Sequence, residues 1–331
     1  MGTDAPAERP ARIMKKRNRR GTQINANVLQ MLFVFKRFVF VFLCVFCVFA
    51  CDFFAQIPVA ARDQNDWIAV STYLSGQIST GTVEQKRDAL SQIRNLETEQ
   101  ASRLAVPALA DPNELVRGTA ASAVVFLPEE EAAALLIMLL RDKAEFVRRE
   151  AAYALGRVGN ANATSFLLQT LQRDQILEVR TASTAALGMI GDVLAVPALI
   201  NILQGKPNED NEFLRRSAAR SIGQIAQIIR TGKQKVLTPQ NFLPEKFKDI
   251  ESSETGRLIE KHLVFQLAIN VLLTTLQNKT ESDDTRREAA FSLGAIGDAS
   301  AISVLQANLN SADPYLVEIS REALLKLETP E

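Results

Sequence analysis

The chain has 331 residues, with 38 Lys/Arg, 38 Asp/Glu and a single His, so its formal net charge is zero. That balance hides a division: residues 1–51 carry nine basic and two acidic side chains, and the remainder carries 29 and 36. A mildly acidic body lacks the clustered positive charge of a phosphate-binding groove, which argues against nucleic acid as a partner. All three cysteines (Cys44, Cys47 and Cys51) fall near the N-terminus. The rest of the chain therefore has no means of making a disulfide or a thiolate metal site.

Residues 1–30 are polar and basic, with KKRNRR at 15–20, and are expected to be unstructured. Residues 31–61 read as a signal peptide or membrane anchor. Phe38 to Ala50 is a run of 13 uncharged residues preceded by Lys36 and Arg37. Length and flank are those of a signal-peptide apolar region, and the run is short of the roughly 20 residues a membrane span needs. Met14 and Met31 offer more ordinary starts for such a signal. The string VFAC at 48–51 has an aliphatic residue at −3 and Ala at −1 before the cysteine. It resembles a bacterial lipobox, which makes Cys51 a lipidation candidate; Phe49 at −2 departs from the usual small or polar choice. In a two-membrane bacterium, Asp52 would resemble an inner-membrane retention signal. Cleavage after Ala61 and an uncleaved short anchor are the alternatives. In each case the positive flank holds the N-terminus in the cytoplasm and exports the body of the chain, to a periplasmic or extracytoplasmic address in a bacterial envelope. Cys44-x2-Cys47 has metal-ligand spacing, but in this segment it reads as apolar filler.

From about residue 62 a phrase recurs. It reads EFVRREAAYALGRVGN at 145–160, LEVRTASTAALGMIGD at 177–192 and DTRREAAFSLGAIGD at 284–298. With its basic residue as a ruler, the series is Lys86, Arg117, Arg148, Arg180, Arg215 and Arg286, with Glu318 in the last place. Successive steps are 31, 31, 32, 35, 71 and 32 residues. Self-similarity at that period marks a solenoid of stacked helical hairpins. Within one phrase Val147, Ala151, Ala154, Leu155 and Val158 follow the spacing of a helix with one buried stripe. Ala151 and Ala152, matched by Ser183 and Thr184 and by Ala289 and Ala290, are small enough to let a neighbouring helix come close. Gly159, Gly191 and Gly297 stand where a helix should stop, because glycine accepts the left-handed C′ conformation. Asn160, Asp192 and Asp298 follow at once and can cap the next helix. Gly156 is read the same way as Gly159, as a terminator. Second helices carry apolar runs such as SFLLQTL and VPALINIL, and in the earlier repeats the polar turn that follows a second helix holds Asp142 or Asp174.

These residues compose the pattern D-x5-R-x2-A-A-x-A-L-G-x-[IV]-G-[DN], which resembles HEAT repeats of the phycobilisome-lyase type over roughly residues 64–328. The resemblance implies an all-α, right-handed α-solenoid of about seven hairpins occupying 62–331. It also implies a structural ladder in which turn Asp and following Arg pair from repeat to repeat; the matching positions are Asp111 with Arg117, Asp142 with Arg148, and Asp174 with Arg180. Lys86 and Glu318 fit the pattern less well, so the terminal hairpins read as caps.

The chemistry of catalysis is sparse in this sequence. His262, within RLIEKHLVFQLAI, is placed on a helix face beside Glu260 and Lys261 and reads as a packing residue, since general-base work needs a positioned partner and a pocket. HEAT-repeat metalloenzymes similar to deoxyhypusine hydroxylase need repeated His-Glu pairs, which this sequence lacks. No catalytic residue, metal or cofactor is assigned, and there is no Gly-rich phosphate loop. An enzyme or enzyme subunit resembling a bilin lyase is the rival reading, and a membrane-tethered intracellular adaptor a third. Binding is expected on the Arg-bearing helices, where Arg149 and Tyr153, Arg216 and Arg220, and Arg287 and Phe291 share a face, with Thr181 and Ala185 between. The resemblance implies that this helix lines the concave side. Arg and aromatic residues in one strip are typical of interface hot spots and would suit a protein or acidic peptide. The step of 71 residues contains an inserted loop at about 231–256, polar with two prolines and with Phe242, Leu243 and Phe247; loops this long are often functional.

Overall fold

The computed structural model describes residues 64–232 and 262–328. The proposed signal segment with Cys51, and all but the first two residues of the inserted loop, lie outside the described residues. Among those described, every regular element is helical. There are fourteen α-helices: α1 Gln64–Thr80, α2 Val83–Leu96, α3 Glu99–Ala105, α4 Glu114–Ala123, α5 Glu129–Leu139, α6 Glu145–Val158 and α7 Thr164–Arg173, then α8 Leu177–Ile190, α9 Val196–Gln204, α10 Glu212–Thr231, α11 Val264–Gln277, α12 Asp283–Ile296, α13 Ile302–Asn308 and α14 Pro314–Glu328. No described helix is long and apolar enough to cross a membrane.

The even-numbered helices from α2 to α14 carry the phrase and are called A helices; the odd-numbered ones are B helices. Each A helix packs on the next, and each B helix lies chiefly against the A helix that follows it in sequence. The stacking continues across the inserted segment, with α10 on α12 and α9 on α11. One apolar core runs the length of the array, through Leu90, Val116, Val147, Leu155, Leu187, Ile222, Leu272, Leu293 and Leu316.

The helix ends follow the expected chemistry, with one refinement. Gly159, Gly191 and Gly297 have φ of 81°, 81° and 84° and end α6, α8 and α12. Asn160, Asp192 and Asp298 accept from the amides of Asn162 (2.8 Å), Leu194 (3.0 Å) and Ser300 (2.8 Å). What they cap is a three-residue 3₁₀ turn leading into the B helix, which rotates the chain through the tight reversal. In α10 the terminator's place is taken by Ala226, so the helix runs on for 20 residues until Gly232, at φ 67°. In that extension Arg230 donates to the carbonyl of Ala295 at 2.7 Å.

Gly156 is not a terminator. It lies inside α6, and a Cβ added there would stand 2.8 Å from Cα of Ala186 in the next A helix. Gly188, Gly223 and Gly294 repeat the arrangement against Ser221, Ser292 and Ala323. Glycine is used here for close backbone approach, and small serines complete the contact. Ser221 Oγ donates to the carbonyl of Thr184 (2.9 Å), and Ser292 Oγ to that of Ala219 (2.6 Å). The row also resets the last repeat. Ala323 opposite Gly294, with Leu316, Ser320 and Leu324 buried, puts Val317 in the ruler position, one residue before Glu318. His262 likewise differs from expectation: it precedes α11, where its carbonyl accepts from Phe265 N at 3.0 Å and its ring meets the Phe265 ring edge-on.

Candidate partner-binding surfaces

The ladder follows from where the repeat puts its charges. Each turn Asp first accepts an amide two residues on: Asp111 from Asn113 (2.8 Å), Asp142 from Ala144 (2.8 Å) and Asp174 from Ile176 (3.0 Å). Its carboxylate then faces the cation of the preceding repeat. Lys86 Nζ is 2.7 Å from Asp111. Arg117 forks onto Asp142 at 2.7 and 2.8 Å, and Arg148 onto Asp174 at 2.6 and 3.0 Å. The Asp six residues before each arginine contributes its carbonyl: Arg117 donates to Asp111 O at 2.9 Å and Arg148 to Asp142 O at 3.0 Å. Arg180 departs, donating to the carbonyl of Leu171 at 3.0 Å.

These pairs are largely buried, so desolvation and pairing compete. Hydrogen bonds from Arg117 hold the Asp142 carboxyl below its ordinary range against the opposing effect of burial. At Asp111, Asp174 and Asp313 burial is the largest single influence and pushes upward, yet the cations and amides together outweigh it and the net shift is downward.

The C-terminal repeats arrange charge differently. Arg215 is buried, donates to the carbonyls of Ile202 (2.8 Å), Leu203 (3.0 Å) and Gly205 (2.6 Å), and pairs with buried Glu281. In α12 the forked arginine is Arg287, on Asp313 at 2.7 and 3.0 Å, while Arg286 reaches the Leu276 carbonyl and Asn308.

Each of the four arginines expected to line a binding strip is already beside a carboxylate. Arg149 lies against Glu150, Arg216 against Asp284 (2.7 Å), Arg220 against Glu288 (3.3 Å), and Arg287 against Asp313 and Asp284. Burial pushes the Glu288 carboxyl up, partly offset by Arg220 and Arg216. Phe291 is half-buried, its ring edge 2.8 Å from where a Cβ on Gly223 would stand, and Thr181 and Ala185 are half-buried too. The strip is thus electrically balanced. What it presents outward is stacking: Arg149 over Phe146 (5.3 Å), Arg216 over Phe213 (5.7 Å) and Arg287 over Tyr315 (5.2 Å), beside the exposed Tyr153. Phe146, Phe213 and Tyr315 each stand two residues before the ruler position of their helix, and that recurrence is the signal by which sequence could have found them.

A second surface was not anticipated. On the B side, Ile137, Leu140, Arg141, Phe166, Gln169, Thr170, Arg173 and Asp174 line a groove of about 240 Å³ between α5 and α7. Its signal was an Arg-Asp pair at 141–142 and again at 173–174, one repeat apart. Among the described residues no cluster of three or more His, Cys, Asp or Glu side chains could hold a metal ion.

The HEAT-repeat family profile matches residues 82–156 and 139–223, and the PBS lyase HEAT-like repeat matches residues 285–311. Comparison with curated proteins produced no match. Among solved structures the chain is similar to an engineered protein (19% identity over 79% of this chain and 69% of the other, TM-score 0.47). It is also similar to the complex of CpcE and CpcF of phycocyanin lyase from Nostoc sp. PCC7120 (19% identity, 78% and 88%, TM-score 0.45). Human deoxyhypusine hydroxylase in complex with glycerol is a third likeness (20% identity, 72% and 98%, TM-score 0.36). Residues 82–223 of this chain are HEAT repeats and residues 285–311 a PBS lyase HEAT-like repeat, set in an all-α solenoid.

Proposed function

We propose that this chain is an exported, membrane-anchored scaffold that holds another protein against the A-helix face of its repeats and carries out no reaction itself. The observation that carries the reading is the recurring arginine-aromatic stack on α6, α10 and between α12 and α14. Phe213 and Tyr315 are 61% and 53% exposed, so each ring offers apolar area that a partner would cover. The ion pairs beneath hold the guanidinium planes in position, so little side-chain entropy remains to be lost on binding. Arg and aromatic residues in that state are the type that dominates interface energetics.

The anchoring half of the proposal rests on the uncharged run before Cys51 and its basic flank. Multiple acyl chains on Cys51 would anchor durably where a single chain does not. Mass spectrometry of protein from native membranes tests it: a mature N-terminus at Cys51 carrying diacylglycerol is expected, and an intact N-terminus from Met1, Met14 or Met31 would overturn the signal reading. For the binding half, Phe213→Ala with Tyr315→Ala is expected to weaken partner capture at least about tenfold while leaving the fold intact. Unchanged capture would remove the A face as the binding surface.

A further inference from the structure

The groove between α5 and α7 differs from the A face in one physical respect: its arginines are uncommitted. Arg141 follows the end of α5 and Arg173 ends α7, both exposed on the groove's rim. Among the described residues neither lies within ion-pair reach of a carboxylate. The acidic residue on the wall, Asp174, is already forked by Arg148. Between the arginines the floor is apolar, formed by Ile137, Leu140 and Phe166, with Phe166 37% exposed. At about 240 Å³ the cavity falls below the range of about 300–1,000 Å³ typical of small-molecule sites. It suits one or two side chains.

We infer that this groove docks an acidic linear peptide segment of another protein, seating one apolar side chain between Ile137, Leu140 and Phe166 while flanking carboxylates meet Arg141 and Arg173. Charge complementarity selects the occupant. Two guanidinium groups on an apolar floor offer charge-assisted hydrogen bonds to carboxylates, in geometry that lysine does not reproduce. The same place one hairpin from the C-terminal end makes the point by contrast. The groove between α11 and α13, about 290 Å³, is lined by Leu276, Val304 and Ala307 with no aromatic residue. Its one arginine, Arg286, is committed to the Leu276 carbonyl and Asn308, and the exposed cation left there is a lysine, Lys279. The site is distinct from the A-helix face and does not depend on what that face binds.

The test is fluorescence anisotropy with the full chain and a labelled twelve-residue peptide of Glu with one central Phe, against the same peptide with Lys for Glu. The acidic peptide is expected to bind and the basic one not. Arg141→Glu with Arg173→Glu is expected to weaken binding at least about tenfold, with an unchanged circular-dichroism melt. Arg141→Gln with Arg173→Gln, which adds no new charge, is expected to weaken it in the same direction and serves if the reversal disturbs folding. Phe213→Ala with Tyr315→Ala is expected to leave this binding intact. No binding of the acidic peptide, equal binding of both peptides, or affinity indifferent to both arginine pairs would overturn the inference.

Discussion

Repeats α2–α8 and repeats α10–α14 are built on one phrase but solve the same electrostatic problem in two ways. In the first, three cations reach carboxylates 25, 25 and 26 residues on, and each pair keeps some contact with water. In the second, Arg215 and Glu281 are joined across 66 residues with both side chains 2% exposed. The difference traces to a turn. The step from Arg180 to Arg215 is 35 residues, and the lengthened turn after α9 brings no Asp to Arg180. It leaves the carbonyls of Ile202, Leu203 and Gly205 open instead, and Arg215 satisfies them. A guanidinium so buried requires a carboxylate, because an unpaired buried charge is far costlier than an exposed one. The helix phrase sets the packing, and the turn sets which charges meet.

The largest expected effect comes from breaking the buried pair. Glu281→Gln leaves the buried Arg215 its carbonyl acceptors but no counter-charge, and a loss of about 3–5 kcal/mol is expected. Hydrogen exchange should show it first in α10–α14, with α2–α6 still protected, since a solenoid's repeats are coupled mainly to their neighbours. Asp142→Asn breaks a ladder pair that keeps some contact with water, so urea denaturation should show a smaller loss, about 1.5–3 kcal/mol. Gly223→Ala drives a methyl into Ser292, with an expected cost of about 1–3 kcal/mol.

Two kinds of carboxyl should also respond oppositely to acid: those forked by an arginine, Asp313 of the C-terminal repeats included, and the buried Glu288. The ladder carboxyls have lowered folded-state pKa values. Their stabilisation is present above the ordinary carboxylate range near 4 and is lost as pH falls through the lower folded values. Glu288 has a raised value, so acidification through that value relieves a cost, and neutralisation by Glu288→Gln should remove this part of the profile. Thermal melts from pH 7 to 3 check both signs: wild type minus Glu288→Gln isolates the relief at Glu288, and wild type minus Asp142→Asn the loss in the ladder. At the small end, Arg103→Ala removes an exposed arginine held by Glu99 and Glu131, and no shift of the melting midpoint is expected.

Much of this architecture is legible before any coordinates, because it is local. Helix-stop glycines, the Asn and Asp after them and the small pair at 151–152 act within a few residues of themselves. What escaped reading depends on the neighbouring helix. Gly156 resembles a terminator in the string but serves an approach whose other half, Ala186, is thirty residues on. Glu318 takes the ruler position by counting, yet packing assigns it to Val317. Ala226, in place of a stop signal, lengthens α10. Arg216, Arg220 and Arg287 look like free cations until Asp284, Glu288 and Asp313 are seen beside them.

Site-specific photocrosslinking in native membranes tests the scaffold reading most directly, with a photoreactive phenylalanine analogue at Tyr153, at Phe213 and at Gln306 on α13. The account predicts one and the same protein adduct from Tyr153 and Phe213 and none from Gln306. Absence of an adduct at both A-face positions, or an equal adduct from Gln306, would contradict it.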